Sequence, residues 1–368
     1  MIFLPPPEVG AAHRVALSLA RRGSFASVQD TTVLPFLAEL FTDTEPAVRN
    51  ATAFAMGQTG GKAAREYLAE AIEKEPDQAV LATMLEAYGK VTNAAGIKIF
   101  EDNATTDSTA LAGLQWGIYR AGTRGITNQK ITEQTISRLQ PQNAYQTRLA
   151  AAHTLARTPG IDLSAYERTL LPLAQTEPSA IIRSTLIAAL GKIKSPKLAS
   201  VLAAVAGSDK DYRVRIAAVK AMGKLPYAEV KEALEKALTD AHEQVALTAA
   251  EVILANGSAA EAKNIAASAE AAQNWRVRAV LLQAALRYTP PKEKTALRKS
   301  IQGRYQRSAN NYEKGFLLKA MAEDLESFLH ISDVALNTQN PVLSTYAVEA
   351  LTEMRTKENF PEGLKTIF

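Results

Sequence analysis

An all-α solenoid of about ten to eleven helical hairpins stacked along one axis is the fold this sequence predicts, and three observations predict it. Along 209–225, DKDYRVRIAAVKAMGKL, the residues Val214, Ala217, Ala218, Ala221 and Leu225 fall at i, i+3, i+4, i+7 and i+11, one apolar helical face. The apolar residue that opens this face recurs as Val48, Val80, Leu111, Thr147, Ile182, Val214, Val245, Val277 and Leu343, at gaps of 32, 31, 36, 35, 32, 31, 32 and 66. The last gap is two periods, with a degenerate copy near Tyr312 to Lys314. A near-constant period of this length is the signature of a repeat array, in which each unit covers the apolar face of the next. Finally, 47% of the 368 residues are apolar and only 22% charged, enough to bury a core along the whole array.

The copies follow in order. A partial one spans His13 to Ala20, and the second is DTEPAVRNATAFAMGQTG (43–60), where Gly57, Gly60 and Gly61 read as the stop after a helix. The third and fourth begin at Val80 and Leu111; Trp116, in GLQWGIY, is flanked by apolar residues and reads as core. The fifth begins at Thr147, and the sixth is EPSAIIRSTLIAALGKIKS (177–195). In the seventh, Pro226 stops the helix, Val230, Ala233, Leu234, Ala237 and Leu238 supply a facing helix, and Asp240 opens another turn. The eighth begins at Val245, the ninth is NWRVRAVLLQAALRY (274–288), the tenth is the degenerate copy near 313, and NPVLSTYAVEALTEM (340–354) is the eleventh. The expected organisation is one solenoid over 1–368.

An acidic residue stands five before the apolar position in Asp43, Glu75, Glu177, Asp209 and Asp240, where it suits the positive end of the second helix and its free N–H groups. The position after the apolar one is basic in Arg14, Arg49, Arg148, Arg183, Arg215, Arg278 and Lys314. From there an arginine can reach the acidic turn of its own or the adjacent repeat, forming a ladder. The pattern of Asp43, Val48, Arg49, Ala51, Ala55, Met56 and Gly57 resembles the short HEAT repeat, and the resemblance covers nearly the whole chain. It departs at Ala112, Ala246 and Ser344, where the basic residue is replaced, and around 300–330, where spacing loosens. The resemblance implies a right-handed α-α superhelix of HEAT/armadillo type, with second helices on the concave side and first helices on the convex side.

Several chemistries find no support. With no cysteine there is no disulfide, thiol nucleophile or cysteine-ligated metal. His13, His153, His242 and His330 are far apart and lack a second ligand at helical spacing, so they read as surface or turn histidines, and no metal or cofactor is expected. MGQTGGKAA (56–64) has Met56 and Ala63 where a phosphate loop needs Gly and Ser or Thr. Sequons occur at Asn50, Asn103 and Asn256, but Asn50 falls inside an expected helix. The balance of 42 Lys+Arg against 38 Asp+Glu, a net +4, names no partner class, and the short apolar run before the prolines of MIFLPPP cannot span a membrane.

Two clusters are candidates for partner binding. From Arg287 to Arg307 the chain carries Arg287, Lys292, Lys294, Arg298, Lys299, Arg304 and Arg307 against Glu293, with Tyr288 and Tyr305 among them. This reads first as a solvated outer helix and second as a surface for an acidic partner or a phosphate backbone. Tyr145, Tyr212 and Trp275 stand two before the apolar position, which reads as packing between repeats or as a row of peptide anchors.

The function expected is a non-catalytic scaffold that binds a protein or peptide, with nucleic acid not the expected partner. The alternative is an accessory repeat region of a multidomain enzyme, such as a cyclophilin-type peptidyl-prolyl isomerase. Neither end carries an obvious polar cap, which leads to the expectation of a longer polypeptide or of ends docked on a partner. Behind these stand the HEAT-like bilin lyases and alkylpurine DNA glycosylases; the latter need a basic concave face with a carboxylate and aromatics together. Alanine-rich faces suggest a bacterial chain, and the missing cysteines lean towards the cell envelope.

Overall fold

The computed structural model describes residues 31–195, 197–337, 339–357 and 360, so the copy at His13 to Ala20, with His13 and Arg14, lies outside the described residues, as does nearly all of FPEGLKTIF. Among the described residues there is no strand. Backbone contacts gather into two compact units, Met1–Ile193 and Lys194–Phe368.

In the first unit the helices are α1 (Leu34–Glu39), α2 (Pro46–Thr59), α3 (Gly61–Lys74), α4 (Gln78–Val91), α5 (Lys98–Asp102), α6 (Ser108–Gly122), α7 (Gln129–Ser137), α8 (Tyr145–Arg157), α9 (Glu167–Thr176) and α10 (Ala180–Leu190). In the second they are α11 (Lys197–Ser208), α12 (Tyr212–Met222), α13 (Tyr227–Ala237), α14 (Glu243–Asn256), α15 (Ala262–Ala271), α16 (Trp275–Tyr288), α17 (Lys294–Arg307), α18 (Asn311–Met321), α19 (Phe328–Leu336) and α20 (Pro341–Arg355). Odd-numbered helices are the first members of hairpins and even-numbered helices the second. Within each unit every even helix packs on the next even helix, and the odd helices pack against that layer.

The even helices share one register. Val48, Val80, Thr147, Ile182, Val214, Val245, Val277 and Leu343 each stand third in their helix, and all are buried. The fourth copy differs from expectation: Asp107 caps α6 one residue earlier than the apolar spacing implied, so the buried third residue is Ala110 and Leu111 is only partly covered. In α18 the place is held by Glu313, whose carboxylate accepts the Ser308 hydroxyl at 2.7 Å, so this copy is degenerate in chemistry and intact in geometry. The seventh copy stops sooner than expected, because α12 ends at Met222 with Gly223 as its C-cap, and Leu225, beyond the helix, is only partly buried.

The acidic residues act one step away from the expected place. Asp43, Glu75, Glu177, Asp209 and Asp240 stand two residues before the capping position and accept the backbone N–H of the capping residue itself, at 2.8, 2.9, 3.0, 2.9 and 2.7 Å. Capping falls to side chains such as Asp77, Ser179, Asp211 and Asn274, which accept from the first turn of the helix.

The ladder forms from both of its expected contacts at once. Arg49 makes a two-pronged pair with Glu75 of the next repeat (2.8 and 2.7 Å) while its Nη1 donates to the Asp43 carbonyl at 2.8 Å. Arg148 with Glu177 and the Asn143 carbonyl, and Arg215 with Asp240 and the Asp209 carbonyl, repeat this geometry. Planar donors matched to a carboxylate explain why arginine fills the place. Besides the expected departures, Leu81 also interrupts the series.

A second set of cations closes the other end of the layer. Arg124 donates to the Gly89 and Thr92 carbonyls (2.9 and 2.8 Å), and Lys192 to those of Leu155 and Thr158 (2.9 and 2.7 Å). Each thereby satisfies carbonyls left open at a helix C-terminus in the preceding repeat. Closest approach occurs between α4 and α6, where Gly89 faces the Gly117 backbone and Gly113 faces Ala82; a Cβ on either glycine would collide with its neighbour.

Candidate functional site

Recognition surfaces in such an array have to be sought where large side chains leave the core. In the second unit the sixth residue of each even helix runs Ala217, Thr248, Val280, Phe316 and Tyr346, so the position grows from small to aromatic along the chain. This position leans over the preceding even helix. Gly315 of α18 makes room for the Tyr346 ring, which lies where a Cβ would be.

Three rings then meet across successive repeats. Trp275, first in α16, sits edge-on to Phe316 (centroids 5.5 Å apart, 88°), and Phe316 lies 6.1 Å from Tyr346. Arg276 stands over the Trp275 ring at 5.2 Å and Lys319 over Tyr346 at 5.5 Å, with Lys319 also paired to Glu349 at 2.7 Å. A hollow of about 420 Å³ opens between Phe316, Val342 and Tyr346, lined by residues of α18 and α20 alone. Apolar floor, ring edges and the Lys319–Glu349 ion pair at the side suit a protein side chain.

The first unit carries a comparable group. Trp116 sits edge-on to Tyr119 (5.4 Å, 84°), and the His153 ring of α8 lies 6.0 Å from each. Arg157 donates to the Tyr119 hydroxyl at 3.2 Å, while Arg120 stands over the same ring and pairs with Glu86. Burial and then the nearby Arg157 charge hold His153 below the usual histidine range, so it is neutral at pH 7. The expectation for Trp116 is corrected by this cluster, since it is half-buried at the surface, not core; His153, expected at a surface or turn, is half-buried within α8 and packs against both rings.

The aromatic row expected from Tyr145, Tyr212 and Trp275 does not form as a row. Tyr145 begins α8, remains 41% exposed and meets no other ring among the described residues. Tyr212 is stacked flat on His242, the cap of the next even helix, with centroids 3.7 Å apart and planes at 6°. Trp275 alone joins a larger aromatic group, through Phe316.

The basic run is largely neutralised by its neighbours. Arg287 binds Glu323 (2.6 Å) and the Leu254 carbonyl, which also accepts the Tyr288 hydroxyl at 2.9 Å. Arg298 is buried and ion-paired with Asp324 and Glu326, so it is not free to meet a partner. Arg304 pairs with Glu270 at 2.8 Å, and half-buried Tyr305 lies edge-on to His330 at 5.3 Å under Lys314. Lys292, Lys299 and Arg307 remain exposed, too few for the strong acidic-partner surface that a count of charges suggested.

Two buried polar centres complete the charge map. Burial pushes the Glu323 carboxyl up, but hydrogen bonds from Arg287, Lys357 and Gln283 outweigh it and hold the group at about 2. Arg138, buried and bonded through Nη1 to Gln115 at 2.9 Å, is lowered by burial to about 10 and stays charged. Among the described residues no three His, Asp or Glu side chains converge as metal ligands, and no helix is long and apolar enough to cross a membrane.

Sequence signals for the missed rings existed. Phe316 and Tyr346 occupy one register position, and Gly315 stands one residue before Phe316 in a helix otherwise short of glycine. Comparison with known families agrees with the architecture: a model described as HEAT repeats matches residues 8–112, 132–222, 167–255 and 204–287. No curated protein matches the chain.

Proposed function

The chain belongs to the HEAT-repeat family, and from that premise we propose that it is a non-catalytic scaffold that holds a protein partner on the face built by its even helices. The observation that carries this reading is the Trp275, Phe316 and Tyr346 group, three rings from three successive even helices, two of which, Phe316 and Tyr346, line a hollow built by α18 and α20. Aromatic anchors beside a hollow, with Lys319 in its lining and Arg276 over the Trp275 ring, are the composition of interface hot spots. A partner with an apolar side chain flanked by acidic or carbonyl groups fits both features. The Trp116, Tyr119 and His153 group offers a second anchor point of the same kind in the first unit.

Affinity capture from the native source tests this with paired variants. Trp275→Ala with Tyr346→Ala should retain helical circular dichroism and weaken the captured partner by about tenfold to a hundredfold. Tyr212→Ala, which removes a ring stacked away from the hollow, should leave capture unchanged. Equal capture by all three proteins rejects the even-helix face as the binding surface.

A further inference from the structure

Two grooves occupy the same register in different repeats. One, of about 620 Å³, is floored by Arg49 and Glu75; the other, of about 460 Å³, has Ala246 and Ala272 at the corresponding positions. Around them Leu238 stands for Phe41 and Thr239 for Thr42, at the same offset. Both members of the ladder's ion pair are thus alanine in one repeat, and the groove there is unfilled from within.

Two backbone groups mark what the pair does elsewhere. Arg49 Nη1 donates to the Asp43 carbonyl at 2.8 Å, and Glu75 accepts the Asp77 N–H at 2.9 Å. Their counterparts, the Asp240 carbonyl and the Asn274 N–H, have no protein hydrogen bond among the described residues. The charged side chains that line the groove are Glu235, Asp240 and Glu243, with no Lys or Arg, whereas the sibling groove contains Arg49 and Lys74. Asp240 and Glu243 already have Arg215 and Arg276, leaving Glu235 exposed at the rim.

We propose that this groove receives an arginine side chain from a partner protein, which completes the missing rung from outside. The guanidinium donates to the Asp240 carbonyl and to the Glu235 carboxylate, and its alkyl stem lies along Ala246 and Ala272. Arginine fits better than lysine because the other rungs of this fold use its planar fork to reach a carbonyl and a carboxylate together. The groove lies between α13 and α15 at the N-terminal ends of α14 and α16 and shares no residue with the hollow at Phe316 and Tyr346, so either contact can fail alone.

Methyl-labelled alanine resonances of the full chain, titrated with N-acetyl-arginine amide, test the assignment. The Ala246 and Ala272 methyl signals should shift saturably with that probe and not with the uncharged citrulline analogue. Ala272→Glu, which restores the carboxylate without its arginine, should tighten binding about tenfold. Ala246→Arg, which restores the internal guanidinium at a position where other repeats carry it, should abolish binding and raise the melting temperature. Equal shifts with N-acetyl-lysine amide, no shift with the arginine probe, or binding unaffected by Ala246→Arg would overturn the proposal.

Discussion

At the scale of single residues, the rungs and surface pairs of this protein look alike on a contact map and differ in energy. Arg215 and Asp240 are 16% and 11% exposed, and the same aspartate also holds the His242 N–H, so removing the guanidinium strands a half-desolvated carboxylate. Arg215→Ala is expected to cost about 3 kcal/mol in chemical denaturation. Arg276→Ala, which breaks a pair whose members are 45% and 42% exposed, should cost under about 1 kcal/mol; equal losses would refute the distinction. Glu323 adds a pH dependence. Its folded value of about 2 lies below the 4.5 of an ordinary glutamate, so its stabilisation is complete above pH 4.5 and is lost as pH falls towards 2. That shift corresponds to about 3 kcal/mol. Glu323→Gln should therefore flatten the acid limb of the stability profile, and an unchanged limb would show that other carboxylates control it.

At the scale of helices, packing distance decides which glycines matter. Gly89 in α4 faces the Gly117 backbone, and Gly89→Ala should cost about 3 kcal/mol through forced separation of α4 and α6. Gly207 in α11 has nothing within 4 Å of an added Cβ, so Gly207→Ala should stabilise by about 0.5–1 kcal/mol. Melting temperatures of the two variants should move in opposite directions. Helix positions were legible in the sequence because the buried third residue recurs as Val48, Val80 and Val214 with an acidic turn before it, and as Val277 behind the Asn274 cap. Where the apolar signal was ambiguous, as between Ala110 and Leu111, the Asp107 cap decided the register, a local hydrogen bond that apolar spacing does not record. The acidic turns were placed correctly and misread in detail, since Asp43 or Glu75 binds the capping residue and not the helix it precedes.

For the whole molecule, the architecture was readable because one packing solution is written repeatedly, so errors in single copies do not accumulate. The aromatic group was not, because its rings come from sequence positions as far apart as Trp275, Phe316 and Tyr346 and meet only through repeat stacking. Charge misled in the same way: Arg287, Arg298 and Arg304 form a basic run along the chain, while their acidic partners Glu323, Asp324 and Glu270 come from adjoining repeats. Site-specific photo-crosslinking tests the account at its centre, with a photoreactive phenylalanine analogue placed at Val342 on an even helix and, separately, at Lys299 on an odd helix. The even-helix probe should give a discrete protein adduct that Trp275→Ala with Tyr346→Ala removes, and the odd-helix probe should give none of that species. The same adduct from Lys299, or its persistence after both rings are removed, would contradict the claim that partners dock on the even-helix face.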